Sequence, residues 1–196
     1  MNAPNRVRHW IVRPAATLFG VALLLQGGAA AAQQAVDCQV QLSPPLLDYG
    51  SNSRGSLLDH VGQAEAVLPP RTATLTVQCP RRASVAVSYQ GQALDLDRYR
   101  FGAGSLQLRV LSAQVDGAAS LLVVEGAGAV ADAQPVLAVR PGESFGPGDS
   151  AGRAVGTHFS FEIEAQPRLP ATATQVAEVT QLESIGRFEV KAVAQP

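Results

Sequence analysis

The chain has 196 residues, 46% of them hydrophobic, 16% charged and 5% aromatic, proportions of one folded domain rather than of a disordered tract. Fifteen Lys and Arg against 16 Asp and Glu give a formal charge of -1, so no basic surplus exists to neutralise a phosphate backbone and nucleic acid is not an expected partner. Eighteen Gly and 13 Pro beside one Trp and six Phe point to many turns around a core of small aliphatics, a balance that favours β structure.

The first segment reads as an export signal. Arg6, Arg8, His9 and Arg13 precede an apolar stretch over 15–25, followed by Gln26-Gly27-Gly28 and a run of alanines. Its 11 residues fall short of the roughly 20 that span a bilayer as a helix, so no membrane span is expected once the signal is removed. Ala30 and Ala32 offer an A-x-A cleavage site, which makes 1–32 the signal peptide and 33–196 the mature domain. No twin-arginine pair precedes the apolar run, and Cys38 follows Val36 and Asp37 rather than the small residues of a lipoprotein signal. The mature part keeps 12 basic and 16 acidic groups and is mildly acidic.

Both cysteines, Cys38 and Cys79, lie in the mature part. In an oxidising compartment an even pair reads most simply as one disulfide, which would close a 41-residue separation. A loop of that size is worth about 4 kcal/mol in the chain-entropy account. The competing readings are a metal pair or a catalytic thiol, but there is no C-x-x-C and the only mature histidines are His60 and His158.

Alternation of apolar and polar residues marks the strands in order. Val36, Cys38, Val40 and Leu42 share one face of the first, which Pro44-Pro45 stops; Leu46-Leu47-Asp48-Tyr49-Gly50 is a short apolar piece before a polar loop at 51–55. Ala73, Leu75, Val77 and Cys79 form the inner face of the second, so a Cys38–Cys79 bond would join two apolar faces. Pro80-Arg81-Arg82 separates it from a third strand at 83–89. Leu106-Gln107-Leu108-Arg109-Val110 is equally regular, and the Asp116-Gly117 turn predicts a hairpin back onto 120–125. Residues 126–135 and 141–152, the latter with two prolines and four glycines, read as loops. Phe159, Phe161 and Ile163 make 158–164 the clearest strand, 171–182 is ambiguous between strand and a turn of helix, and 186–192 closes the chain as a last strand. About seven short strands between turns, with no long segment of helical period, predict an all-β, immunoglobulin-like antiparallel sandwich.

This ordered set resembles chaperone–usher pilins: an export signal, a cysteine in the first strand, a second at the end of a Thr/Val strand, and an alternating last strand. More narrowly, Leu47-Asp48-Tyr49-Gly50, Leu68-Pro69-Pro70-Arg71-Thr72-Ala73-Thr74-Leu75-Thr76-Val77-Gln78-Cys79 and Phe101-Gly102-Ala103-Gly104 resemble an uncharacterised family of fimbrial-type exported proteins. The resemblance spans most of the mature chain. It implies a pilin-type sandwich that lacks one strand and is completed by a strand from a periplasmic chaperone or from another pilus subunit. It assigns Phe188, Val190 and Ala192 to strand exchange or chaperone binding, and it implies a product that is periplasmic or at the cell surface. Two departures stand out. Only five residues separate the expected cleavage site from Cys38, so the chain is expected to accept a strand rather than donate one, as suits a tip or accessory subunit. The chain also ends Val193-Ala194-Gln195-Pro196 without a terminal aromatic.

Enzymatic chemistry finds little footing. His158, Asp149 and Ser150 could be assembled into a hydrolytic set, but no G-x-S-x-G elbow is present, and His158 falls on the polar side of its strand. His60 sits in a loop at 57–68. Asp95 and Asp97 could meet a cation or sugar, although an Asp-rich turn beside Arg98 and Arg100 is the plainer reading. The glycines of Phe101-Gly102-Ala103-Gly104 suit a bend or close backbone approach, and Tyr49, Tyr89 and Tyr99 could stack on sugars or pack along an edge. The expectation is a non-enzymatic structural protein with no cofactor and no metal; the alternative is a self-sufficient secreted sandwich that binds a glycan or a surface.

Overall fold

The computed structural model describes residues 34–57, 64–125, 133–175 and 178–195. The expected signal segment and His60 lie outside the described residues. Twelve strands run through them: β1 (Gln39–Ser43), β2 (Glu65–Val67), β3 (Arg71–Gly91), β4 (Tyr99–Phe101), β5 (Gly104–Val115), β6 (Ala118–Ser120), β7 (Leu122–Glu125), β8 (Leu137–Val139), β9 (Ser144–Asp149), β10 (Gly152–Arg153), β11 (Gly156–Pro170) and β12 (Gly186–Ala194). Among the described residues helix is confined to one turn, α1 (Arg54–Leu57), and a 3-10 turn at Ala171–Thr174, which takes the first four residues of the segment that is ambiguous in sequence over 171–182. Every strand pair is antiparallel. The fold is the expected all-β sandwich with the Cys38–Cys79 disulfide formed.

One strand serves both layers. The sequence predicts two strands separated by Pro80-Arg81-Arg82, but β3 runs unbroken for 21 residues. Its first half lies between β1 and β11, and its second half between β12 and β9. The inward parity carries across the expected break, with Leu75, Val77 and Cys79 followed by Ala83, Val85 and Val87, all buried. Pro80, which has no N–H to lose, sits where the strand passes from one layer to the other. The first layer is therefore β1, β3, β11 and β5. β2 follows β3 along β11, and β4, β8 and β6 cover the outer edge of β5 in turn. The second is β12, β3, β9 and β7, with β10 folded back on β9.

The core is the apolar filling between these layers. Phe159, Phe161 and Ile163 of β11 are buried as their alternation predicts, opposite Val77, Leu75 and Ala73 of β3. Phe145 of β9 meets Phe161 edge to face at 5.7 Å, joining one layer to the other. In β5 the inward parity changes from Leu106, Leu108 and Val110 to Ala113. A bulge opposite Glu162 and Ile163 absorbs the extra residue and keeps both sets inside.

Two further expectations are corrected. The Gly- and Pro-rich stretch 141–152 is mostly strand, because its glycines are needed for close packing: a Cβ on Gly146 would lie 2.3 Å from the Val85 carbonyl oxygen and one on Gly148 2.5 Å from that of Gly152. The hairpin after Asp116-Gly117 extends only through β6; Leu122 and Val123 are both buried, and β7 leaves β5 to pair with β9. The loop expected at 126–135 lies mainly outside the described residues.

The disulfide ties the start of β1 to β3 just before that strand changes layers. Replacing both cysteines in C38A/C79A is expected to lower stability by about 2–4 kcal/mol. Equilibrium urea unfolding checks this, and an unchanged midpoint with an unchanged slope contradicts it.

Candidate functional site

β12 is the outermost strand of its layer, paired with β3 from Gly186 opposite Gly91 to Ala194 opposite Ala83. Ala83 also faces Gly156 of β11 on its other side, so β12 and β1 lie along the same edge of β3. The Gln195 N–H donates to the Arg82 carbonyl at 3.1 Å, whereas the Ala192 carbonyl accepts from Val36 N–H at 3.1 Å and the Ala194 N–H donates to the Gln34 carbonyl at 3.0 Å. Odd-numbered residues of β12 therefore turn their backbone groups toward β3 and even-numbered ones away from it. Residues 34–36 cap this outer edge at its last turn, with Ala35 bridged to Val193 and Val36 buried. Beyond the cap, the outward N–H and C=O groups of Gly186, Phe188 and Val190 meet no other strand among the described residues.

The three residues expected to take part in strand exchange line the inner face of this edge. Ala192 is buried, and Phe188 and Val190 are half-buried. Phe188 packs on Tyr89 at 5.0 Å, and Tyr89 stands edge-on to Tyr99 at 4.8 Å. Burial pushes the Tyr89 hydroxyl above its ordinary range, opposed by a hydrogen bond with Ser184. On the outer face Arg187, Glu189 and Lys191 alternate in sign, and the Arg187 guanidinium bonds the Glu189 carboxylate at 2.6 Å. Further along the same side of β3, Val40 of β1 is 44% exposed although the Val77 opposite it is fully buried. The expected inner face of the first strand is thus only partly covered. The interior itself is closed, since Val85 and Val87 of β3 are fully buried by the chain's own strands.

The other candidates are dispersed. His158 is exposed on β11, whereas Asp149 ends β9, where its carboxylate accepts from the Ala151 N–H in its own turn. Asp95 also closes a turn, accepting from the N–H groups of Asp97 and Arg98, and its ion pair with Arg98 at 2.7 Å holds its carboxyl below the usual range. Asp97 pairs with Arg140 at 2.9 Å, and these groups, with Glu65 and Arg168, line an open cleft of about 500 Å³. The tyrosines pack internally. Tyr99 is 1% exposed, and Tyr49 donates to the Ala165 carbonyl at 2.8 Å, its hydroxyl pushed up to about 12 mainly by burial. Gly102, at φ 52°, and Gly104, where a Cβ would lie 2.1 Å from the Arg168 carbonyl oxygen, form the β4–β5 turn. Among the described residues no group of three or more His, Cys, Asp or Glu is placed to hold a metal ion. The residues that sequence reasoning missed are Gln34, Ala35 and Val36 as an edge cap; the apolar Val36 ahead of Cys38 was their only signal.

No family model matches the chain, and no curated protein matches it either.

Asp116 is the structural key beside His158. At φ 50°, a conformation that suits Asp, it turns β5 into β6, and its Oδ1 accepts from the N–H groups of Thr157 and His158 at 3.0 and 2.8 Å and from the Thr157 hydroxyl at 3.1 Å. The two backbone donors hold its carboxyl below the ordinary carboxylate range. A depressed folded value means that the charge stabilises the fold above the unfolded value of about 3.9 and that this contribution fades as pH falls through the folded value. D116A is therefore expected to melt earlier than the parent at pH 7, the gap narrowing below about pH 4 as the parent's carboxylate protonates. D116N keeps an acceptor and is expected to fall between them. Melting curves from pH 3 to 7 check this, and a gap that widens toward low pH contradicts it.

Proposed function

We propose that the protein is a structural or accessory subunit of a fimbria- or pilus-like surface assembly, exported through the periplasm, whose sheet is extended by a strand from a periplasmic chaperone or a neighbouring subunit. The observation that carries this reading is the outer edge of β12, where Gly186, Phe188 and Val190 turn outward backbone groups that meet no other strand among the described residues, beside the half-buried ring of Phe188 and methyls of Val190. An exposed edge is a template for strand addition, in which main-chain bonds supply affinity and alternate side chains supply register. The disulfide fits an oxidising compartment. Because the interior is closed by the chain's own strands, the added strand extends the sheet and seals its rim rather than filling an emptied core.

The cleft bounded by Asp95, Asp97, Arg98, Arg140 and Arg168 favours the second reading, a secreted glycan-binding sandwich. Its charges already pair with one another and no aromatic ring among the described residues lines it, so the edge is the stronger feature.

Co-expression in a bacterial periplasm with a pilus-type chaperone tests the first reading. The expected outcome is a 1:1 complex in which the amides of Phe188 and Val190 exchange more slowly than in the uncomplexed monomer. A chain that is recovered uncomplexed, with those amides exchanging as they do without the chaperone, contradicts it.

A further inference from the structure

We propose that the outer edge of β12 pairs with the β12 edge of a second copy of this chain, antiparallel and centred on Phe188, giving a twofold dimer with one sheet continuous across it. The inference rests on the reading that this edge accepts a strand, and it names a strand that it accepts.

The register follows from three constraints. Outward-facing backbone groups can bond only to outward-facing groups, so even-numbered residues must oppose even-numbered ones. The outward carbonyl of Ala192 is already bonded to Val36, and Ala194 to Gln34, which confines the incoming strand to Gly186, Phe188 and Val190. Charge then selects among the remaining centres. Pairing centred on Glu189 sets Glu189 against its own copy and Arg187 against Lys191, two kinds of like-charge contact. Pairing centred on Val190 sets Phe188 against Ala192, whose outward carbonyl is taken. In-register parallel pairing stacks each charge on its like. Pairing centred on Phe188 sets Arg187 against Glu189 twice, by symmetry, and leaves Lys191 opposite the uncharged Ile185. On the inner face it sets Phe188 against Phe188, an aromatic cross-strand pair that covers both half-buried rings. Ile185, 80% exposed ahead of β12, gains cover from the Lys191 stem in the same arrangement.

The full exported chain, purified from a periplasm, is expected to sediment at twice its monomer mass. R187E and E189R each turn both cross-strand Arg–Glu contacts into like-charge contacts and are expected to weaken the dimer about tenfold or more. An equimolar mixture of the two variants restores it, because every contact across the twofold then joins opposite charges. The double variant R187E/E189R also dimerises. V190P removes an outward N–H without touching the ladder to β3 and is expected to yield a monomer with an unchanged circular dichroism spectrum. Should V190P fail to fold, the mixing experiment decides alone. A dimer that survives both single reversals, or single variants that do not rescue each other, overturns the proposal. A monomeric parent that still forms the chaperone complex overturns self-pairing while the strand-acceptor reading stands. A monomeric parent that forms no such complex overturns both.

Discussion

Everything in this sandwich is hung on β3. A strand that belongs to two layers must bend where it passes between them, and there its neighbours change from β1 and β11 to β12 and β9. The bend is held from several sides. Cys79 is bonded to Cys38 immediately before it, the Arg82 guanidinium donates to the Val155 carbonyl at 2.8 Å, and the Arg82 carbonyl accepts from Gln195. Cys38 and Gln195, near the two ends of the described sheet, are thus fastened to the same corner, the first by a covalent bond and the second by main-chain pairing. This corner also explains why residues 34–36 reach β12: with Cys38 fixed, they have the end of that strand beside them.

Where one face of a strand is dry and the other wet, alternation made the structure legible. Phe159, Phe161 and Ile163 could be assigned inward from their spacing alone, and so could Leu75, Val77 and Cys79. The reading failed where local composition and tertiary role diverge. Pro80-Arg81-Arg82 carries the signature of a turn, but a strand that changes layers needs a bend without a reversal, and nothing local separates the two cases. At Gly146 and Gly148 the glycines mark close backbone approach, while the same residues in sequence mark flexibility. The bulge in β5 was hidden because each half of the strand alternates correctly and only their relation changes.

The candidate site was half legible for a related reason. That Phe188, Val190 and Ala192 share a face follows from a period of two; that their strand is outermost does not, because which strand neighbours which is a non-local fact. The direction of the backbone groups became readable only through the hydrogen bonds that the end of β12 makes, to Arg82 on one side and to residues 34–36 on the other. Composition pointed to tyrosines and paired aspartates as possible ligand contacts. Packing consumed the first and turn geometry the second.

The two long edges of the first and second layers are treated differently, and the difference bears on what can bind. The outer edge of β5 is covered piecewise by β4, β8 and β6, which leaves no continuous template. Among the described residues the edge of β12 is blunted at one end and otherwise guarded by side chains. Main-chain bonds from Gly186, Phe188 and Val190 are available to any extended segment, so they give affinity without selectivity. Selectivity must come from the flanks. A uniformly basic strand meets Arg187 or Lys191, and a uniformly acidic one meets Glu189, each a like-charge contact. A strand with apolar residues on its inner face and charges of alternating sign on its outer face meets none in the register that sets opposite signs against each other. The edge is therefore closed by repulsion to most of the segments that its backbone would accept, and it stays open to strands patterned like its own.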